Sequence, residues 1–122
     1  MPSENHEFLI RSFRSSLFKR GFKEEKSPMP VFRPDIFAQK ISKNGKIIEE
    51  VVVEAEIKQT LFSEHTTHQL VLMSEYLNHR KNKKIKIKGY LLIPKGKQAL
   101  ALARSLLNSL VLSGNHILIL QR

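Results

Sequence analysis

The sequence predicts a single α/β domain, and three observations support this prediction. Segments with apolar residues at helical spacing alternate along the chain with short runs rich in Ile and Val. The length of 122 residues suits one domain. Hydrophobic residues at 41% and charged residues at 26% are typical of globular proteins. We therefore expect residues 1–122 to form one domain with the element order α-β-β-β-α-β-α-β.

The first half of the chain is predicted to contain one helix and three strands. Ser3 can cap the helix, and Gly21 can end it. Pro28 and Pro30 break pairing after the first strand. Asn44-Gly45 between two strand-like runs is a strong signal for a β-hairpin, which joins the second and third strands. In order, these elements cover residues 4–20, 22–26, 31–41 and 47–58.

The second half is predicted to contain two helices, each followed by a strand. Residues 84–88 alternate Lys and Ile and lead into an apolar run that Pro94 ends, so the fourth strand is long. The last helix is rich in Ala and Leu, with Gly114 as its cap. In order, these elements cover residues 62–79, 84–93, 96–112 and 117–120.

The composition excludes several classes of protein. The chain has no cysteine, which excludes disulfide frameworks, thiolate zinc sites and cysteine nucleophiles. No apolar run reaches the ~20 residues that a membrane-spanning helix needs. The polar N-terminus lacks the apolar segment of a signal peptide. We therefore expect a soluble, cytoplasmic protein without a membrane partner.

The positive charge is concentrated in one part of the chain. The formal net charge is +10, from 21 basic and 11 acidic residues. All 11 acidic residues lie within residues 1–75, together with 11 of the basic ones, so residues 76–122 carry the whole surplus. Such asymmetry indicates a polyanionic partner, most often nucleic acid. A basic face that keeps the protein soluble is the alternative.

Three carboxylates are predicted to meet on one face of the hairpin. If Asn44-Gly45 is a two-residue turn, the numbers of paired residues add up to 89, which places Asp35 opposite Glu54. Glu56 is then the diagonal neighbour of Asp35, and Lys58 lies at the rim. Directly opposed Cβ atoms are ~4.5–5.5 Å apart, and like charges at this distance destabilise a sheet. The cluster therefore needs a compensating cation.

The chemistry of this cluster predicts a metal site. Carboxylate oxygens suit Mg²⁺ or Mn²⁺, which proteins hold with one or two carboxylates plus water and substrate phosphates. We therefore expect Asp35, Glu54 and Glu56 to bind Mg²⁺ or Mn²⁺. In the alternative, Arg33 and Lys58 neutralise the acids on an ordinary polar face, since Arg33 would lie opposite Glu56. A bulge in the hairpin would separate the acids.

These residues resemble a known family. Pro34-Asp35, about twenty residues with a hairpin, and Glu56-Ile57-Lys58 resemble the PD-(D/E)xK motif of the restriction-endonuclease-like nucleases. With Gln59-Thr60 the run is similar to that of small members such as the archaeal Holliday junction resolvases. The predicted order over residues 4–93 is similar to the family's αβββαβ core, here with an extra C-terminal helix and strand. The resemblance implies a metal-dependent DNA endonuclease that hydrolyses phosphodiester bonds and acts, like those members, on particular DNA structures.

The resemblance assigns roles to individual residues. Asp35 and Glu56 match the metal-binding acids, and Lys58 matches the lysine that activates the attacking water and stabilises the developing charge. Glu54 creates a competing match, Glu54-Ala55-Glu56, in which a glutamate replaces the lysine. We prefer the match that ends at Lys58 because it keeps the lysine.

Two helices are expected to add residues to this site. Relatives carry a glutamine on the second helix that faces the active site, which Gln69 resembles, although a glutamine bonded to the backbone is the alternative. His65 is a weaker candidate nearby, and its spacing to His68 does not suit zinc. Relatives also place a glutamate of the first helix near the metal. Glu7 matches that glutamate, although an ion pair with Arg11 is the favoured explanation.

A basic run before and within the fourth strand is predicted to bind DNA. Lys84, Lys86 and Lys88 share one strand face and form a ridge suited to a phosphate backbone. Lysines that protect a sheet edge from aggregation are the alternative. The full set of expected DNA contacts is Arg33, Arg80, Lys81, Lys83, Lys84, Lys86 and Lys88.

Two further expectations concern assembly and activity. The broad apolar face of the last helix and the apolar final strand predict a homodimer, because cutting two DNA strands is most simply done by two copies. Packing of these two elements within one chain is the alternative. A non-catalytic DNA-binding protein with this fold is the alternative to the endonuclease. An RNA-binding protein accounts for the charge but not for the clustered acids.

Overall fold

The computed structural model describes residues 4–27, 29–80, 85–110 and 117–122. Within these residues the chain forms three helices and five strands in the predicted order, which confirms the α/β fold class. The elements are α1 (Glu4–Lys19), β1 (Lys23–Glu24), β2 (Ile36–Ile41), β3 (Ile47–Ala55), α2 (Glu64–Arg80), β4 (Lys86–Ile93), α3 (Lys97–Leu110) and β5 (Ile117–Gln121).

The strands form one mixed sheet in the order β1-β2-β3-β4-β5. β1, β2 and β3 are antiparallel, whereas β4 and β5 run parallel to β3 because α2 and α3 carry the chain back between them. α1 covers one face, where the Phe13 ring meets the Tyr90 ring edge-on at 5.6 Å. α2 and α3 cover the other face, where Met73 packs in the same cluster as Val52. Both faces of the sheet are therefore buried.

The hairpin keeps the predicted register although its turn differs from the prediction. The turn contains three residues rather than two, with Gly45 at a φ of 83°, a conformation that favours glycine. A bulge in β3 leaves Ile48 without a partner opposite the step from Lys40 to Ile41, and it offsets the extra residue. Asp35 consequently still lies opposite Glu54. The pairs that keep the predicted register run from Ile36–Val53 to Lys40–Glu49.

The second strand begins later than predicted, at Ile36 rather than at residue 31. Pro34 has no N–H to give to a ladder, and Asp35 bonds to β3 through its side chain. Arg33 therefore lies outside the strand and is exposed. This placement corrects the predicted pairing of Arg33 with Glu56.

The third strand ends earlier than predicted, at Ala55 rather than at residue 58. The Glu56 N–H still bonds to the Leu92 carbonyl of β4 at 2.9 Å. The Ile57 N–H bonds instead to the Thr60 hydroxyl at 3.3 Å, and the chain turns. Residue 58 therefore lies in a turn, where strand alternation no longer sets the direction of its side chain.

Some sequence predictions concern residues outside the described ranges. They are the cap at Ser3, the breaker at Pro28, the start of the fourth strand at Lys84 and the cap at Gly114. In the part of the chain that the structure describes, every helix is too short or too polar to cross a membrane.

Candidate active site

Three acidic side chains lie together at one end of the sheet, and we call them the carboxylate cluster. Asp35 immediately precedes β2, Glu54 lies near the end of β3, and Glu56 lies just beyond that strand. Glu54 and Glu56 are 3% and 5% exposed, and the Asp35 side chain is 23% exposed. The register of the hairpin and the alternation of side chains along β3 place all three on the sheet face that α2 covers.

Hydrogen bonds from three elements hold the cluster in place. The Ala55 N–H donates to Asp35 Oδ2 at 2.8 Å. His6 of α1 donates from Nε2 to the Ala55 carbonyl at 2.9 Å, and the same nitrogen lies 3.7 Å from Asp35 Oδ2. The Thr60 hydroxyl donates to Glu56. α1, the hairpin and the turn after β3 therefore all fix this one site.

Burial and repulsion change the ionisation of the cluster. Burial, followed by the charge of Asp35 and the contact with Glu56, raises the pKa of Glu54 to about 11. Burial also raises the pKa of Asp35, while the Ala55 N–H and His6 act in the opposite direction. Glu54 is therefore protonated at neutral pH, and its side chain lies close to the carboxyl groups of Asp35 and Glu56. A cation beside the cluster would relieve this repulsion and favour the ionised form of Glu54.

The donor chemistry of the cluster fits a hard divalent cation. With the side chains as they stand, no three His, Asp or Glu residues in the described ranges form a group that could hold a metal ion. Mg²⁺ and Mn²⁺ need only one or two protein carboxylates when water and substrate phosphates complete the coordination. Asp35 and Glu54, opposed across the hairpin, meet that smaller requirement. Glu54 would lose its proton on binding, so metal affinity should rise with pH.

Lys58, the predicted catalytic lysine, forms no ion pair with a carboxylate of the described cluster. Its Nζ donates to Gln98 Oε1 in the first turn of α3 at 3.0 Å, and its side chain is exposed. Neither Lys58 nor Arg33 forms an ion pair with a carboxylate of the described residues, so the alternative in which these two neutralise the cluster has no support. Of the two matches to the nuclease motif, Glu54-Ala55-Glu56 is the one whose acids both lie beside Asp35.

The predicted helix residues lie around the site rather than in it. Gln69 of α2 is 4% exposed, and its Oε1 accepts the Arg33 N–H at 2.9 Å. That hydrogen bond is the backbone partner that the sequence left open as the alternative. Glu7 and His65 are both exposed. Among the described residues, neither forms a hydrogen bond or ion pair with the carboxylate cluster, and Glu7 forms none with Arg11. From α1 it is His6, not Glu7, that reaches Asp35.

Arg80 does not belong to an exposed basic run. Its Nε and Nη2 donate to the two carboxylate oxygens of Glu50 at 3.2 and 3.1 Å. Glu50 is 1% exposed and also accepts from the Tyr76 hydroxyl at 2.7 Å and from Gln39 Nε2 at 2.7 Å. Burial and this carboxylate raise the pKa of Tyr76. Arg80 therefore neutralises a buried charge on the sheet, a role that the sequence did not predict.

The remaining basic residues lie on different surfaces. Lys86 is exposed and Lys88 half-buried, and both lie on the sheet face opposite the carboxylate cluster, since Ile87 between them packs on the α2 side. β5 pairs with Gly89–Ile93 of β4, and among the described residues Lys86 and Lys88 pair only with β3, so the edge-protection alternative stays open for these lysines. The other predicted DNA contacts in this run, Lys81, Lys83 and Lys84, lie outside the described residues.

Comparison with known proteins gives two matches among solved structures, whereas no family model and no curated protein matches the chain. A repair endonuclease from Pyrococcus abyssi is 18% identical and covers 100% of this chain, with a TM-score of 0.46. EndoMS in its apo form is 17% identical and covers 92%, with a TM-score of 0.43. The chain spans 47% and 45% of those two chains. At this level of similarity, the activity has to be inferred from the residues of the chain itself.

Proposed function

We propose that the chain is a DNA endonuclease that uses Mg²⁺ or Mn²⁺ to hydrolyse phosphodiester bonds at the carboxylate cluster. The observation that carries this proposal is the packing of Asp35, Glu54 and Glu56 against one another, with no ion pair to a lysine or arginine of the described residues. Such an arrangement destabilises a sheet and raises the pKa of Glu54. A cation that removes the repulsion, brought next to a polyanionic substrate by a chain of net charge +10, accounts for both features.

Each residue of the cluster has a distinct part in this proposal. Asp35 and Glu54 would hold the cation through their carboxylate oxygens. When bound, the cation lowers the pKa of a water and polarises the phosphoryl oxygen. Glu56 accepts the proton of the attacking water, and the Thr60 hydroxyl orients this carboxylate. His6 keeps the end of β3 and Asp35 in register through the Ala55 carbonyl.

A non-catalytic DNA-binding protein is the second candidate. The specific observation in its favour concerns the catalytic lysine of the nuclease motif. In the match Glu54-Ala55-Glu56, Glu56 stands at the position of that lysine, and Lys58 is bonded to Gln98. A lysine supplies charge stabilisation that glutamate does not. On this account the protein would bind DNA with the same surfaces but leave it intact.

Substitution within the cluster separates the two candidates. We expect Asp35→Ala to abolish cleavage of plasmid DNA in Mg²⁺ or Mn²⁺, because it removes a metal ligand. Glu56→Ala should slow cleavage by at least ~10²-fold, the lower range for a general base. Both variants should bind DNA at least as well as the unmodified chain, because each removes negative charge. Normal cleavage by either variant would show that the site is elsewhere, and absence of cleavage by the unmodified chain on linear, nicked and branched DNA would favour the second candidate.

The lysines of β4 give a separate prediction about binding. Replacing Lys86 and Lys88 with Gln should reduce the slope of log K against log salt by ~0.9 for each phosphate that is no longer neutralised on duplex DNA. Fluorescence anisotropy of a labelled duplex at several salt concentrations measures this slope. An unchanged slope would mean that these two lysines contact solvent rather than DNA.

A homodimer remains a prediction. In α3, Ala103 and Leu106 are buried against the sheet, and Ile117 and Ile119 of β5 join the same cluster. Most of the apolar surplus is thus used within one chain, while Leu118 is 49% exposed on β5, the last strand of the sheet in the described residues. We expect light scattering to give twice the chain mass. A mass of 14.1 kDa that is unchanged by added DNA would exclude the dimer.

A further inference from the structure

A cavity of about 380 Å³ opens beside the carboxylate cluster. One wall is the turn after β3, a second is the loop that joins β4 to α3, and the first turn of α1 closes the third side. The side chains that matter for its chemistry are Asn5, Lys58, Gln59, Lys95, Lys97 and Gln98.

The charged side chains that line this cavity are all positive. Lys58, Lys95 and Lys97 are all exposed, and the described lining contains no acidic residue. None of the three forms an ion pair with a carboxylate of the described residues. The Nζ of Lys58 donates to Oε1 of Gln98, which also lines the cavity, at 3.0 Å. Three ammonium groups around one cavity, with neutral amides between them, fit an anion and repel a cation.

The cavity and the carboxylate cluster share their walls. Lys58 follows Glu56 by two residues, in the turn that Thr60 closes over Glu56. The Glu56 N–H bonds to Leu92, three residues before Lys95. On the side of α1, Asn5 lines the cavity while the next residue contacts Asp35 and the end of β3. An anion in the cavity would therefore lie next to whatever the cluster binds.

We propose that this cavity, which we call the lysine cavity, binds a phosphate of the DNA backbone next to the phosphodiester held at the carboxylate cluster. The inference rests on the proposed function, since it takes DNA as the molecule at the cluster. The two sites would bind the DNA backbone in different ways. The carboxylate cluster would bind a phosphate through the cation, whereas the lysine cavity would bind a phosphate directly. Together they fix the direction in which one strand crosses the end of the sheet.

The test is DNA binding by a variant with Lys95→Gln and Lys97→Gln, measured by anisotropy of a fluorescein-labelled duplex in EDTA. Affinity should fall several-fold at low salt. The slope of log K against log salt should fall by ~0.9 for each phosphate that is no longer neutralised. The variant with both lysines changed to Arg should keep the affinity, because the charge remains. All the changed side chains are exposed, and the unfolding temperature checks that the fold is retained.

A matched control removes the same charge elsewhere. Lys43 and Lys46 are exposed in and beside the hairpin turn, at the far end of β3 from the cluster. If Lys43→Gln with Lys46→Gln lowers affinity and slope as much as the double change at Lys95 and Lys97, only net charge matters and the lysine cavity is not a subsite.

The binding readout does not depend on cleavage, so the two proposals can fail separately. Weaker binding by the Lys95 and Lys97 variant supports the lysine cavity, and the absence of cleavage of linear, nicked and branched DNA by the unmodified chain, in Mg²⁺ and in Mn²⁺, refutes hydrolysis. Cleavage by the unmodified chain, with unchanged binding and cleavage in the variant, supports hydrolysis and overturns the lysine cavity.

Discussion

Glu54→Gln should abolish DNA cleavage and at the same time stabilise the fold at alkaline pH. The pKa of Glu54 is raised from 4.5 to about 11 in the folded chain, mainly by burial and by Asp35. A raised pKa contributes stability that is complete below the unfolded value of 4.5 and is lost as pH rises toward the folded value. Glutamine does not titrate, so the variant escapes this loss. It also cannot become an anionic metal ligand.

The stabilisation should depend on pH in a specific way. In EDTA, the free energy of unfolding of the variant relative to the unmodified chain should rise between pH 5 and pH 8, by on the order of 1–3 kcal/mol. Urea unfolding at the two pH values measures it, and the titration of most other groups cancels in the difference. As a control, Glu75→Gln on the exposed side of α2 should change stability by less than ~0.5 kcal/mol. A Glu54→Gln variant less stable than the unmodified chain at pH 8 would contradict the electrostatic account.

Arg80→Ala should destabilise the fold by ~3 kcal/mol, because it leaves a buried carboxylate without its counter-charge. Glu50 is 1% exposed and is bonded to both Nε and Nη2 of Arg80. Tyr76 and Gln39 would still donate to it, yet neither carries a charge. Chemical unfolding at pH 7 measures the decrease in stability.

Removing both charges together tests the cause of this decrease. The double variant Glu50→Gln with Arg80→Met should recover more than half of it, since no buried charge remains at this pair. If Arg80→Ala instead weakens DNA binding and leaves stability within ~0.5 kcal/mol of the unmodified chain, Arg80 serves DNA binding, as its place in the basic run of the sequence suggests.

The fold and the acids of the site could be predicted because each depends on local pattern. Helical and strand periodicity determines the element order, and the hairpin register places Asp35 opposite Glu54. That register is kept for a reason the sequence did not reveal: the longer turn and the bulge at Ile48 offset each other. Either change alone would have turned the acids to different faces.

What could not be predicted depends on contacts between distant residues or on strand ends. Strand alternation continued past Ala55 predicts Lys58 at the rim of the cluster, and the family resemblance implies its catalytic role. In the structure the Ile57 N–H bonds to the Thr60 hydroxyl, and the chain turns. His6 lies 49 residues from Ala55, and no periodicity links the two. Arg80 looked like part of a basic run because its partner is 30 residues away. One signal in the sequence indicated that Glu50 needs a buried partner such as Arg80. Glu50 lies on the same buried face of β3 as Glu54.

The most direct test of the central claim is Mn²⁺ binding, followed by the electron paramagnetic resonance signal of free Mn²⁺ at pH 8 without DNA. The account predicts one bound Mn²⁺ per chain. Asp35→Ala and Glu54→Gln should each weaken it by at least the ~10–100-fold that removal of an outer-shell partner costs a metal site. Lys43→Gln with Lys46→Gln should leave the affinity unchanged. Absence of binding to the unmodified chain, or equal binding by the two cluster variants, would contradict the claim that the carboxylate cluster is a metal site.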